Sequence, residues 1–442
     1  MQKNIIENQK RLVPEESHNK VLEEFNNIFC TAPFTHAHIG PGDKVTTCCK
    51  SRNALGHTTK NTIEEIYNSD FAKEIRRSML EGKKHWQCSS CYNYEDKTGN
   101  AAENRVSSNY QTQPFLESMK ENINSDGSLK SATPEWLDLL WTNKCNFACL
   151  GCHPEISTTI ANVYKEEFAI LNNANPETYY TGEAQWNSGN KEKIRYILAN
   201  ADKIKFIHMQ GGEPFLCEDI YELMESMIAA GLHKKIKILA HTNGSVNKTY
   251  KGTDLVHDYL SHWGEMAKIN LSIDGINQRG EHIRYGFKQH VWKETFDKMT
   301  HSDILVGISS RANIFNILHL EEFGSYINKI QPANRFGEQK SNLKAWYNET
   351  TNLSHIKVCE ETRKKAIDML QRMLTTKDYP TEWGYTLPKW LHWLESEDMP
   401  EPKYTRALLK GIDALDKKRK INFKNTFPEL TEWKASAENY AF

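Results

Sequence analysis

The stretch Asn143–Pro154, NKCNFACLGCHP, places Cys145, Cys149 and Cys152 in a C-x3-C-x2-C spacing. Three thiolates so close in sequence can converge on one soft metal centre. They fall one short of the four that a closed zinc site or an ordinary iron–sulfur cluster needs. A cubane held by three cysteines leaves one iron open to a substrate. The stretch follows WLDLLW, Trp136 to Trp141, an apolar run that reads as a buried strand, so the cysteines sit on the loop leaving that strand. Further on, after a second apolar run, KIKFIHM, comes GGEP: Gly211, Gly212, Glu213, Pro214.

The two motifs, in this order, resemble the radical S-adenosylmethionine (SAM) superfamily. The resemblance implies that Cys145, Cys149 and Cys152 hold a 4Fe–4S cluster whose open iron takes the amino and carboxylate groups of SAM. It implies that Gly211, Gly212 and Glu213 bind the methionyl end. One electron, from a donor such as flavodoxin or ferredoxin, would cleave the sulfonium to a 5′-deoxyadenosyl radical. That radical would take hydrogen from a substrate, a peptide or a small molecule, while the protein orients and shields. Two other readings stand beside this one: a zinc site with His153 as fourth ligand, and free thiols. The chain departs from the family at Gly151, where an aromatic residue usually precedes the third cysteine.

Upstream, Phe29 to Ser51 reads as two short strands, Thr35 to Ile39 and Lys44 to Cys48, joined by a GPGD turn. A helix is expected over NTIEEIYNSDFAKEIRRSMLEG, and then HWQCSSC sets Cys88 and Cys91 in C-x2-C. This segment resembles the SPASM auxiliary-cluster fold, called twitch when truncated, here placed ahead of the barrel. The resemblance implies a second 4Fe–4S cluster held by Cys30, Cys88, Cys91 and one of Cys48 or Cys49. Successive strand residues face opposite sides, so only one of the two is expected to point at the metal, and Cys48 is favoured. Asp43 stands where the usual turn glycine would precede Cys48. A structural zinc ribbon is the alternative.

From Trp136 apolar strands alternate with helices, which implies parallel strands with right-handed crossovers. Strands are expected at Leu137–Trp141, Ile204–Met209, Ile236–His241, Ile269–Ile273, Leu305–Ser309 and Leu343–Tyr347, and helices at Ile220–Ala230, Val256–Gly264, Trp292–Met299 and Leu320–Ile330. The fold class is α/β. It fits the partial (β/α)6 barrel of the resembled family, preceded by a small α+β twitch domain, with ligand groups at the C-terminal strand ends. HTNG and SIDG lie at such ends. HTNG nominates Asn243 as an active-site residue; SIDG resembles the family's fourth-strand motif, which implies that Ser272 and Asp274 lie near the SAM ribose or the substrate. A simple turn is the alternative for each. Arg284 and Arg311 are candidates for the SAM carboxylate or for surface ion pairs.

The expected organisation is an arm (1–26), the auxiliary domain (27–95), a polar linker (96–134) with one helix near Phe115–Asn122, the barrel (135–350) and a helical C-terminal extension (351–442). The polar insert from Asn172 to Lys193 reads as a lid or surface loop. Cys217 and Cys359 read as buried core residues, the C-terminal tryptophans as packing, and KKRK (Lys417–Lys420) as a solvated helix face. With 56 Lys+Arg against 57 Asp+Glu in 442 residues, the net charge of −1 argues against a broad nucleic-acid platform. No apolar run is long enough for a membrane span, and the start carries no secretory signal. Seven of the ten cysteines fall in clusters or pairs, which favours metal binding in a reducing, cytoplasmic setting. A non-catalytic zinc or iron–sulfur interaction protein and a radical SAM transferase are the rival functions.

Overall fold

The computed structural model describes residues 14–99, 101–177, 179, 189–330, 340–345, 353–396 and 401–440. Its strands are β1 (His36–Ile39), β2 (Lys44–Thr46), β3 (Gly56–His57), β4 (Trp136–Leu140), β5 (Ala148–Cys149), β6 (Phe206–Gln210), β7 (Lys237–Thr242), β8 (Ala267–Ser272), β9 (Arg284–Tyr285), β10 (Leu305–Ala312) and β11 (Lys340–Ala345). The chain divides into two compact units. One comprises Met1–Trp141, Ala184–Met209 and Ala230–Lys237; the other comprises Thr142–Glu183, Gln210–Ala229 and Ile238–Phe442.

In the first unit the strand order is β6-β4-β1-β2-β3. The hairpin β1–β2 forms as expected, and its turn carries two left-handed residues, Gly42 (φ 66°) and Asp43 (φ 57°). A left-handed residue with a Cβ costs about 1–2 kcal/mol. Asp43 is buried and ion-paired to Lys193 at 3.1 Å, which holds it there. The second strand stops at Thr46 rather than Cys48. The Thr46 hydroxyl donates to Cys48 O at 2.9 Å and turns the chain out of the ladder. Cys48 and Cys49 therefore lie on a loop, and the two-sided pleat does not choose between them.

β1 also runs parallel to β4, with His36 opposite Trp136 and His38 opposite Asp138. On both strands one set of alternate residues is apolar and buried (Ala37, Ile39, Leu137, Leu139). The other set carries His36, His38, Trp136 and Asp138.

The helix expected after the hairpin is two helices. Ile63–Tyr67 begins with a capping box of Thr62 and Glu65, and Asp70–Leu80 begins at Ser69, whose hydroxyl accepts from Ala72 N at 3.3 Å. Between them Asn68 donates to Leu129 O at 2.8 Å, and fully buried Arg76 donates to Gly127 O, Pro33 O and Tyr67 O. The polar stretch 96–134 is thus held in place by backbone carbonyls. It also contains a helix that its sequence did not announce, Glu103–Thr112, besides the expected Leu116–Asn122. Buried residues of that helix are polar: Arg105, Asn109 and Thr112. Asn109 bonds Thr31 N at 2.9 Å and His18 Nδ1 at 3.0 Å, the latter on the N-terminal helix Pro14–Glu24.

The second unit holds β7, β8, β10 and β11, all parallel, in the order β11-β10-β8-β7. Helices Glu218–Ala229, Gln289–Thr300 and Leu320–Ile330 stand where expected. The expected helix over Val256–Gly264 is instead three single turns, because Tyr259 leaves helical geometry (φ −129°, ψ −68°) and packs its ring on Tyr221 at 5.1 Å. The strand expected to reach Tyr347 ends at Ala345 among the described residues, and of the 172–193 insert residues 178 and 180–188 lie outside them. Small strands β5 and β9 pair antiparallel, Ala148 with Tyr285 and Cys149 with Arg284.

The C-terminal extension is helical, with Trp383 and Trp433 fully buried and Trp390 nearly so; Cys217 and Cys359 are buried as expected. One expectation fails there: within KKRK, Arg419 is 6% exposed. No described helix is long and apolar enough to cross a membrane.

Candidate active site

The loop that bears the cysteine triplet is laced to the GGEP turn through backbone. Gly212 N donates to Thr142 O at 2.7 Å and Glu213 N to Lys144 O at 2.8 Å. The approach requires glycine. A Cβ on Gly211, which has φ 141°, would meet Thr142 O at 2.3 Å, and one on Gly212 would meet Lys144 O at 2.4 Å. Glu213 is fully buried. It accepts from Thr242 Oγ1 at 2.7 Å, Asn243 N at 2.7 Å and Phe215 N at 3.3 Å. Burial pushes its carboxyl up to about 7, against the pull of those donors.

Asn243 closes the circle. Its side chain donates to Asn146 Oδ1 at 2.9 Å, and Asn146, between the first two cysteines, donates to Ser245 Oγ at 2.9 Å. The Cys loop, GGEP and HTNG are therefore one hydrogen-bonded assembly. Thr242 and Asn146 belong to it and were not singled out from sequence.

Asp274 is buried and faces the same loop from the end of β8. Its Oδ2 accepts from Arg284 Nε at 2.7 Å and its Oδ1 from Arg311 N at 2.7 Å. Arg284 in turn reaches Cys149 Sγ at 3.8 Å. Of the two arginines considered, Arg284 thus serves the cysteine loop. Ser272 ends β8 opposite Ser309 of β10. Burial raises all three thiols of the triplet, Cys152 to about 12, with Arg284 pulling Cys149 back. Phe147 is 2% exposed and packs on Gly286, so it is core rather than a replacement for an aromatic residue at Gly151. His153 accepts from Glu155 N through Nδ1.

The second cysteine group lies in the first unit. Cys30, Cys48, Cys88 and Cys91 line one pocket, together with Tyr92, Asn104, Arg105 and Ser108. Cys49 does not line it. It is exposed and accepts from Asn104 Nδ2 at 3.4 Å. Burial first, and the neighbouring sulfurs after it, raise Cys30 to about 11 and Cys91 to about 12, and Cys88 further. Arg105 supplies the positive charge; it pairs with Glu95 and donates to Asn27 O at 2.8 Å. None of the ten cysteines is disulfide-bonded. Among the described residues no group of three or more His, Cys, Asp or Glu converges tightly enough for a single metal ion. The four thiols instead surround a space, which suits a multi-atom cluster.

A further polar constellation escaped the sequence reading. His38 of β1 donates to Asp138 Oδ2 of β4 at 2.8 Å, and His208 of β6 to Asp138 Oδ1 at 3.2 Å. Burial would raise the Asp138 carboxyl, yet the two histidines hold it far below the usual carboxylate range. The available signal was a polar residue within each of three short strand runs: His38, Asp138 and His208.

Both halves of this architecture match known families. Residues 139–327 match the model described as the radical SAM superfamily, and residues 30–92 match SPASM, described as an iron–sulfur cluster-binding domain. The chain carries a radical SAM domain and, ahead of it, a SPASM-type iron–sulfur cluster-binding domain. Its cofactors are SAM, a 4Fe–4S cluster and a further iron–sulfur cluster. Solved structures similar to it include Streptococcus suis SuiB bound to S-adenosylmethionine (13% identity, TM-score 0.34, 71% of this chain, 63% of that one). SuiB bound to its precursor peptide SuiA is similar too (14%, TM-score 0.33, 74% and 66%). So is TYW1 with a lysine-pyruvate adduct bound (12%, TM-score 0.26, 51% and 70%). No curated protein matches the chain.

Proposed function

We propose that Cys145, Cys149 and Cys152 hold the 4Fe–4S cluster that binds SAM, and that the enzyme abstracts hydrogen from a substrate, a peptide or a small molecule. The observation that carries this reading is the assembly of Thr142–Lys144, Gly211–Glu213, Thr242–Asn243 and Asn146 around the three cysteines. When bound, the cluster would supply the electron that cleaves SAM to a 5′-deoxyadenosyl radical.

The chain's own residues do the rest. Gly211 and Gly212 let the GGEP turn close directly on the cysteine loop, so that its backbone would meet the amino-acid end of SAM beside that loop. Glu213, fully buried and fixed by three protein donors, holds that turn to Thr242 and Asn243. Asp274 holds Arg284 against Cys149 and Arg311 at the end of β10, while Ser272 and Asn243 occupy strand ends where ribose or substrate would lie. Cys30, Cys48, Cys88 and Cys91 would hold the auxiliary 4Fe–4S cluster, with Cys49 left out. We assign residues 27–95 to the auxiliary domain and 135–350 to the barrel, flanked by the arm (1–26), the connecting segment (96–134) and the extension (351–442). A flavodoxin or ferredoxin in the cytoplasm is a suitable electron source.

Anaerobic protein reduced with dithionite should convert SAM to 5′-deoxyadenosine and methionine, slowly even without substrate. The triple Cys145, Cys149 and Cys152→Ala variant should not. A reduced wild-type enzyme that releases methylthioadenosine or S-adenosylhomocysteine and no 5′-deoxyadenosine would replace hydrogen abstraction with group transfer.

A further inference from the structure

The helix Thr405–Arg419 of the C-terminal extension packs closely on helix Lys165–Leu171. A Cβ on Gly411 would sit 2.4 Å from Leu171 Cβ. Polar contacts fix its far end: His282 Nε2 with Asp416 Oδ1 at 2.8 Å and Lys418 with Glu167 at 2.9 Å. The last residue, Arg419, then reaches behind the cysteine loop. Its Nη2 donates to Ala148 O at 2.9 Å, one residue from Cys149. Its guanidinium carbon lies 4.9 Å from the Tyr164 ring centre and 4.3 Å from that of Tyr285, the residue paired with Ala148 across β5 and β9.

This is a cation without a carboxylate. Among the described residues no Asp or Glu forms an ion pair with Arg419, and its Nε and Nη1 are buried without a hydrogen-bond acceptor at bonding geometry. Arg284, the other cation at Cys149, differs because Asp274 neutralises it at 2.7 Å. A desolvated guanidinium is sustained by an anion facing it. Tyrosine faces supply part of that attraction. The anionic group its position leaves is whatever the Cys149 sulfur belongs to.

We propose that Arg419 is the counter-charge of the cluster held by Cys145, Cys149 and Cys152, and that the C-terminal extension thereby raises the reduction potential of that cluster. The proposal rests on the assignment of the triplet as cluster ligands. Uptake of one electron adds one negative charge beside Arg419, so a fixed positive charge favours the reduced state, and its removal disfavours it. The residue acts through charge and position and touches no substrate.

The test is an anaerobic redox titration of the full chain with dithionite, followed by electron paramagnetic resonance. Arg419→Gln should lower the midpoint of the triplet cluster and leave that of the auxiliary cluster in place. The reduced-to-oxidised ratio at fixed potential should fall at least tenfold, about 59 mV for one electron. Arg419→Lys, which keeps the charge, should recover most of the shift. A Gln variant with full iron and the wild-type midpoint overturns the proposal. If the Gln variant fails to load iron, the Lys variant decides: loading restored by Lys supports the charge, and loading lost in both overturns it in favour of packing alone. The triple-cysteine variant identifies the signal being titrated. Persistence of that signal in it would overturn the ligand assignment rather than the role of Arg419.

Discussion

Replacing Gly212 by Ala tests whether the GGEP turn and the cysteine loop are one object. The new Cβ would lie 2.4 Å from Lys144 O and 2.9 Å from Asn143 O, both backbone atoms that no side-chain rotation can move aside. An ordinary carbon–oxygen contact is about 3.3–3.6 Å, so the two segments must part by about 1 Å. The hydrogen bonds flanking the contact, at 2.7 and 2.8 Å, would then stretch beyond bonding range. Each broken bond leaves a buried donor or acceptor unpaired, at about 1–3 kcal/mol. The expected loss is about 2–6 kcal/mol in this unit, with iron lost from the triplet because Cys145 follows Lys144 directly. The assay is thermal unfolding of anaerobic protein beside iron counts, with Gly82→Ala as control. Gly82 has nothing within 4 Å of its virtual Cβ, so that change costs only the left-handed strain of about 1–2 kcal/mol that its φ of 71° imposes. A Gly212→Ala protein that melts with the wild type and keeps its iron would refute the argument.

Two further outcomes follow from the site. Glu213, raised from 4.5 to about 7 by burial, holds its proton more tightly folded than unfolded. Its contribution is complete below about pH 4.5 and lost as pH rises through 7, a swing of about 2–3 kcal/mol between pH 5 and 8. Urea titrations should show that swing in wild type and a smaller one in Glu213→Gln, and parallel pH curves would contradict it. Cys49→Ala should retain the auxiliary cluster and Cys48→Ala should lose it, as read by iron content. The reverse result would move the fourth ligand to Cys49.

The strands were legible because β4, β6, β7, β8 and β10 are short apolar runs with turn residues behind them, and the site motifs were legible because they sit at those strand ends. Other parts were hidden for physical reasons. The helix Glu103–Thr112 buries Arg105 and Asn109 rather than an apolar stripe, so it has no hydrophobic period to detect. Arg419 sits in a basic run that reads as solvated. Its burial depends on Tyr164 and Tyr285, both remote in sequence. The choice between Cys48 and Cys49 depends on a loop that Thr46 creates, not on strand alternation. His38, Asp138 and His208 become a triad only when three strands take one register.

The parallel pairing of β1 with β4 has a consequence for the life of the chain. Its partners are a hundred positions apart, His38 with Asp138. On a ribosome the hairpin between Cys30 and Cys48 must therefore wait, unpaired on one side, until the first strand of the SAM domain has emerged. Closing so long a loop makes this a late, slow event. The dependence runs the other way too. A shortened protein lacking the hairpin would present β4 as a raw sheet edge, with a row of unpaired N–H and C=O groups open to any passing strand. The cluster-binding segment is thus also the seam that closes the sheet against aggregation.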